Sequence, residues 1–269
     1  RAQTSFVSIV MVCCTMFFLS NRKMNGDDSF FDEDGGGNGL HFQVVSLKIG
    51  IHVDVVLKEW DSDIEKIDGY SFRRLNVPGL GVSGSVGRPE LPVWRRLIEV
   101  PLNATEVKAT VTSMSAEPVV LEDKSASDPL YPVQPPVEKL PGAKPAPLVW
   151  NRDYYARTLK TGTAPVEVSH FGIQRGRNLY LVTVYPFEYI PASNALTVRS
   201  ALSFDVSWSC DSSAPKWRAS RYSSPLMEQP LKMVLLNEEV TKAGFAAYPA
   251  GLLIIAAPSF FTDPNLADF

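Results

Sequence analysis

The sequence has few cysteines, few histidines and no excess of positive charge, and each of these shortages argues against one class of protein, site or partner. Among 269 residues there are three cysteines, too few for a disulfide-stabilised small domain. The three histidines lack the HxxH or HExxH spacing that places two imidazoles on one helix face, so no metal site is expected. The net charge is −3, and no basic stretch is interleaved with aromatics, so nucleic acid is not an expected partner.

Motifs of nucleotide and hydrolase chemistry are also missing. Residues 79–84 match GxGxxG by letter, but Gly87, Pro89 and Pro92 follow them and oppose the helix that would hold a pyrophosphate. We therefore predict a glycine-rich hairpin turn and no cofactor site. No GxSxG elbow occurs. Cys210 follows an alternating pattern, which predicts a half-buried structural thiol and not a nucleophile.

The amino-terminal part of the chain contains an apolar run at residues 6–19. The run is short for a membrane span and has the length of a signal-peptide core. Because no clean small-x-small cleavage site follows, residues 1–23 are predicted to be either a signal peptide or a signal anchor, with membrane contact only through this segment. Residues 24–40 are acidic and Gly-rich, which predicts a linker. The rest of the chain is expected to be secreted or at the cell surface.

Alternating apolar residues are the main signal in the middle of the chain. Residues 45–55 alternate strictly, which predicts one long strand buried on one side, and the same period returns in residues 106–112, 179–184 and 202–208. Turn-forming residues and most of the 21 prolines lie between these stretches, and no helical stripe occurs before about Met227. We predict a mainly β protein with an antiparallel β-sandwich over residues 41–212.

Three further segments have their own character. Residues 128–147 contain seven prolines, which cannot donate ladder hydrogen bonds, so we predict an extended surface loop. Residues 213–248 are predicted to be a junction with a modest helix from about Leu231 to Thr241. Residues 249–269 contain the continuous apolar run 251–258, which is typical of a strand buried on both faces and predicts the first strand of an α/β domain.

Three of these segments together resemble one family. They are the Gly-Arg-Pro-Glu-Leu-Pro turn at residues 87–92 with the strand ending at Pro101, the hairpin of residues 186–196, and the apolar run 251–258. The first two are similar to turns in the pro-domain of the clostripain/gingipain family of cysteine endopeptidases. The third looks like the first strand of the family's caspase-like catalytic domain.

The resemblance implies a secreted zymogen in which the sandwich assists folding of the peptidase and blocks its active site. The partner is then the chain's own catalytic domain, and peptides or proteins are substrates of the full enzyme. No cofactor is implied for these residues, although calcium is expected in the catalytic domain. The family's His-Gly and Cys positions have no match, because Phe171 follows His170 and Asp211 follows Cys210. We assign no catalytic residue.

For members specific for arginine or lysine, the resemblance implies a basic residue on an extended loop as the plug of the active site. Lys139 is the first candidate, Lys144 the second and Lys124 the third. Arg218 and Arg221 in the junction are candidate processing points.

A different class of function stays open, that of a secreted β-sandwich binding or adhesion module without peptidase activity. Its contact surface would consist of exposed aromatic side chains, for which the candidates are Trp94, Trp150, Tyr154 and Tyr155.

Overall fold

The computed structural model describes residues 39–119, 128–137, 139, 147–162, 164–174, 176–211, 230–231 and 233–237. The predicted signal or anchor, most of the linker and the predicted α/β strand lie outside these residues and stay predictions. Among the described residues, no helix has the length and apolar character needed to cross a membrane.

The described chain is built from eleven strands, one short helix and a 3-10 turn at Pro191–Ser193. In chain order the elements are β1 (Leu40–Leu47), β2 (Gly50–Leu57), β3 (Asp61–Ile67), β4 (Tyr70–Asn76), β5 (Gly81–Ser83), β6 (Leu91–Val100), β7 (Ala104–Val119), α1 (Arg152–Tyr155), β8 (Val166–Gln174), β9 (Arg177–Val184), β10 (Phe187–Ile190) and β11 (Ala195–Cys210).

The first sheet is organised around β11. On one edge β11 pairs with β10 and then with β2, which pairs in turn with β1, and on its other edge it pairs with β7. The second sheet has the order β5-β6-β9-β8, and β3 and β4 form a separate hairpin. Every pairing between these strands is antiparallel, which confirms the predicted fold class.

Two apolar clusters form the core. The larger lies between the inner faces of the two sheets, where Val53 and Phe204 of the first sheet and Ile98 and Val182 of the second are fully buried. The smaller contains four side chains that are almost completely buried, namely Leu130, Phe187, Tyr189 and Leu196. Removal of this apolar surface from water is the main stabilising term of the sandwich.

The predicted single strand over residues 45–55 is wrong, because the chain reverses at Lys48 and Ile49. Leu47 pairs with Gly50, and Ile49 is 56% exposed. Gly50 has φ of 138°, a value that favours glycine. A Cβ at this position would collide with the main-chain carbonyl oxygen of Val206, so the turn also brings β2 directly against β11.

Two local predictions have opposite outcomes. The GxGxxG segment belongs to a hairpin, as predicted, because β5 pairs with β6, but the turn of this hairpin lies at residues 84–90 and not at residues 79–84. The half-buried thiol is wrong, because Cys210 is exposed. It is the last residue of β11, at the end of the sheet, where it pairs with Ala104 at the first position of β7.

The predicted helix after Pro230 does not continue through residues 233–237. Leu235 instead forms a parallel bridge with Leu97 of β6. The physical reason is that the edge of β6 presents the N–H and the carbonyl of Leu97, to which an extended segment can form two hydrogen bonds.

Candidate functional site

The proline-rich segment enters the sandwich before it reaches the surface. Leu130 is fully buried and Tyr131 is 5% exposed. Arg73 of β4 donates its N–H to the carbonyl of Pro129 at 2.8 Å, and Tyr131 donates its N–H to the carbonyl of Arg73 at 2.8 Å. The predicted surface loop is therefore wrong for residues 130–132, since the non-proline residues there keep the N–H groups that pair with a strand.

The main chain of Leu130 is held between two buried phenols. Tyr155 donates its hydroxyl to the Leu130 carbonyl at 2.7 Å, and the Leu130 N–H donates to the hydroxyl of Tyr189 at 3.2 Å. Tyr189 in turn donates to Oδ1 of Asn194 at 2.7 Å. Both the N–H and the carbonyl of the buried Leu130 thus have a hydrogen-bonding partner, from side chains of β10 and α1.

Burial also fixes the protonation of these phenols. Desolvation raises the pKa of Tyr189 to about 12, although the hydrogen bond from the Leu130 main chain opposes the shift. Desolvation is likewise the main cause that raises the pKa of Tyr155 above its usual value. Both hydroxyls therefore remain neutral donors throughout the physiological pH range.

Further along, the side chain of Gln134 joins the two ends of the loop, which we call its neck, by hydrogen bonds to the main chain of Val149. Its Nε2 donates to the Val149 carbonyl at 3.0 Å, and its Oε1 accepts the Val149 N–H at 2.9 Å. One residue earlier, Val133 donates its N–H to the Arg88 carbonyl at 2.9 Å and accepts the Gly87 N–H at 2.8 Å. The outgoing limb of the loop, at residues 133–134, is therefore joined to the returning limb at Val149. It is also joined to Gly87 and Arg88, which precede β6.

Beyond this neck the chain is exposed at Pro136, Val137 and Lys139. Within the described parts of the chain, Lys139 makes no ion pair or hydrogen bond. The base of the loop is thus fixed by hydrogen bonds, whereas the ammonium group of Lys139 is exposed and can contact a partner. The other candidates, Lys144, Lys124, Arg218 and Arg221, lie outside the described residues.

The aromatic residues proposed for a binding surface are largely structural. Trp94 is 3% exposed and Tyr155 is 7% exposed. Trp150 packs edge-to-face against Tyr70, Phe72 and Tyr155, with ring centroids 5.3, 5.2 and 5.8 Å apart. Trp94 and Tyr155 are therefore not available for an adhesion surface, whereas Trp150 and Tyr154 are half-buried.

Sequence reasoning missed the residues that hold the loop. Tyr155, Tyr189 and Gln134 gave no local signal for this role, because the partners of Leu130 are 25 and 59 residues away along the chain. The Pro-x-x-Tyr-x-Pro pattern at residues 186–191 indicated a hairpin, but it did not indicate that the Tyr189 hydroxyl forms a hydrogen bond with Leu130.

Comparisons with known proteins agree with this architecture. The model of the family Propeptide_C25 matches residues 51–222. Lys-gingipain and Lys-gingipain HG66 of Porphyromonas gingivalis are 31% and 30% identical over 194 residues, which is 71% of this chain and 11% of each relative. The chain thus spans about a tenth of the length of these curated relatives.

Two solved structures have the same fold. One, described as structural insight into zymogenic latency of gingipain K from Porphyromonas gingivalis, has a TM-score of 0.55 and 26% identity, and the match covers 69% of this chain and 100% of that chain. The other is a complex of Porphyromonas gingivalis RgpB pro- and mature domains, with a TM-score of 0.58, 15% identity and coverage of 75% and 98%. At that identity the second likeness concerns the fold alone.

Proposed function

Because this chain belongs to the Propeptide_C25 family, as the propeptide of a gingipain-type cysteine peptidase, we propose that its sandwich blocks the active site of its own catalytic domain. The blocking group is Lys139. The observation that carries the proposal is the exposed ammonium of Lys139 on a loop whose two limbs are joined by Gln134.

A pinned loop suits inhibition for an entropic reason. Ordering a free backbone residue costs roughly 1–2 kcal/mol, and here the stem of the loop is already ordered by hydrogen bonds to β4, β10 and Val149. Pro135 and Pro136 restrict φ between the stem and the exposed tip. Docking of Lys139 therefore costs less than docking of a free peptide would.

The lysine supplies charge recognition. An ammonium group is a compact point charge that a buried carboxylate in a specificity pocket can pair with. A substrate-like side chain held by a rigid scaffold occupies the pocket, while its peptide bond is not free to reach the geometry needed for attack by the thiolate.

The same scaffold supports a role in folding. Apart from Leu236, the buried members of the two described core clusters all precede the junction, and domains fold as units in order of synthesis. A folded surface would then be present when the catalytic domain forms. The Lys-gingipain relatives and the pro- and mature domains of the RgpB complex support a secreted zymogen with an intramolecular partner.

The test is inhibition of the chain's own peptidase by its released propeptide. Lys139→Ala should raise the inhibition constant at least about 30-fold, because loss of a desolvated charge pair costs about 2 kcal/mol or more. Lys48→Ala is the matched control, since Lys48 is also exposed but lies in the turn between β1 and β2.

Lys139→Arg distinguishes the pocket. Inhibition retained by arginine indicates a pocket that accepts both bases, whereas inhibition lost with arginine indicates one shaped for lysine. Equal inhibition by Lys139→Ala and the unmodified propeptide contradicts the assignment, and Lys144→Ala and Lys124→Ala are then the next variants.

A further inference from the structure

Part of the outer edge of β6 would be unpaired without a segment from the junction. Strand β5 covers only Leu91–Val93 of β6, whereas β9 pairs with the other edge from Trp94 to Val100. The peptide groups of Leu97 and Glu99 point toward the uncovered side, next to the fully buried Ile98. A buried strand edge of this kind requires a hydrogen-bonding partner.

Residues 234–237 supply that partner. Leu97 donates its N–H to the Val234 carbonyl at 2.9 Å, and Leu236 donates its N–H to the Leu97 carbonyl at 2.8 Å. The side chain of Leu236 is 5% exposed and belongs to the larger core cluster. A segment that follows the last strand of the sandwich by more than twenty residues therefore contributes to its core.

Asn237 extends the pairing with its side chain in place of its backbone. Its Oδ1 accepts the Glu99 N–H at 2.8 Å, and its Nδ2 donates to the Glu99 carbonyl at 2.7 Å. A primary amide has the donor and acceptor arrangement of a peptide group, so asparagine continues the ladder by one step. Asn237 is 4% exposed and Glu99 is 2% exposed, and the Glu99 carboxylate pairs with Arg177 at 3.0 Å.

The chain is fixed on both sides of the intervening stretch. Asp211, directly after β11, donates its N–H to the Asn103 carbonyl at 2.9 Å, and Asn103 Nδ2 donates to the Asp211 carbonyl at 2.9 Å. Among the residues that the structure describes, the next contact with the sandwich along the chain is the pairing with Leu97. Arg218 and Arg221 lie between Asp211 and Pro230. After a cut there, the piece that ends beyond Asp211 and the piece that contains residues 234–237 would each still contact the sandwich.

We propose that residues 234–237 are a docking segment and that the edge of β6 is its binding surface in trans. After a cut in the stretch between Asp211 and Pro230, this surface retains the amino-terminal segment of the downstream product. That the product is a peptidase rests on the proposed function, but the docking does not. Removal of the propeptide from that product then requires separation of this strand pair as well as hydrolysis.

The experiment uses the full chain with a recognition sequence for a site-specific protease inserted between residues 212 and 229. After cutting, amide hydrogen exchange at Leu97, Glu99 and Leu236 is measured over a dilution series that starts at about 1 mM, a concentration suited to weak association. The expected result is that the three amides stay protected in the cut chain at high concentration and lose protection on dilution.

Three variants test the individual contacts. Leu236→Ala should weaken association of the pieces about 30-fold or more, because truncation of a buried leucine removes its apolar contacts. Asn237→Asp keeps the shape but replaces the Nδ2 donor by an acceptor facing the Glu99 carbonyl, and should weaken association about tenfold or more. Met233→Ala, at a side chain that is 75% exposed, should leave association unchanged.

Loss of protection at Leu97 and Glu99 immediately after the cut at every concentration would overturn the proposal, as would equal association of Asn237→Asp and Met233→Ala. If Leu236→Ala prevents folding of the uncut chain, the comparison of Asn237→Asp with Met233→Ala decides. No peptidase enters this measurement, so failure of Lys139 as an inhibitor and failure of the docking segment are separate results.

Discussion

The hydroxyl of Tyr189 offers a direct test of how the loop is attached. Tyr189→Phe keeps the ring, which is fully buried, and removes only the oxygen atom. The Leu130 N–H then loses its acceptor in a fully buried position, and Oδ1 of Asn194 loses the donor at 2.7 Å. No cavity larger than one oxygen atom forms, so the change isolates hydrogen bonding from packing.

The expected loss is about 2 to 4 kcal/mol in the free energy of unfolding. A buried donor without an acceptor costs about 1–3 kcal/mol, and the lost bond to Asn194 adds about 0.5–1.5 kcal/mol. With a urea m-value of about 2–3 kcal/mol/M, the unfolding midpoint should fall by about 1 M. Tyr155→Phe removes one donor from the Leu130 carbonyl and should cost about 1–3 kcal/mol.

Urea unfolding followed by tryptophan fluorescence measures both variants. Tyr180→Phe is the matched control, because Tyr180 is half-buried and its hydroxyl makes no hydrogen bond within the described residues, and its loss should stay within about 0.5 kcal/mol. A Tyr189→Phe variant as stable as Tyr180→Phe would refute the reasoning that the phenol anchors Leu130.

Two further predictions follow from the same structure. Stability should fall between pH 10 and 12, because the unfolded phenol of Tyr189 ionises near its usual pKa of about 10, whereas the folded phenol, with its pKa raised to about 12, keeps its proton. This contribution is about 2 to 3 kcal/mol. Tyr189→Phe should make the fall of the urea midpoint over that range shallower by this amount, and the remaining fall reflects Tyr155, whose pKa is also raised by burial. Gly50→Ala should lower stability by about 2 kcal/mol or more, because an added Cβ would meet the Val206 carbonyl. Gly69→Ala is the control, because Gly69 has φ of 81° and no atom lies within 4 Å of an added Cβ, and it should lower stability by about 1 kcal/mol. Equal thermal unfolding temperatures for the two variants would contradict the close approach of β2 to β11.

The sequence pattern was sufficient for the fold class but not for the first hairpin. Odd-numbered residues from 45 to 55 are all apolar, which looks like one continuous strand. A two-residue turn pairs even-numbered residues of β1 with odd-numbered residues of β2, as Val44 with Val53. Val44 and Val53 are therefore both buried while Leu47 and Ile49 are exposed. Only the position of the turn resolves this ambiguity, and Gly50 was its one local sign.

The loop was predictable in part for a similar reason. Proline content correctly predicted an exposed tip, where Pro136 and Lys139 are exposed. It could not predict that Leu130 and Tyr131 enter the core, because that depends on partners supplied by β4, α1 and β10. Contacts between residues far apart in the chain carry no local signature, so the attachment of the site had to be observed.

The position of β11 in the chain has a consequence for the order of assembly. His52 of β2 meets Asp205 of β11 with Nδ1 and Oδ1 2.5 Å apart, across a separation of 153 residues. An early hairpin must therefore wait until nearly the whole sandwich has emerged before its second edge is satisfied, and such distant pairings slow folding. A polypeptide of this topology therefore completes its first sheet only after β11 has been synthesised.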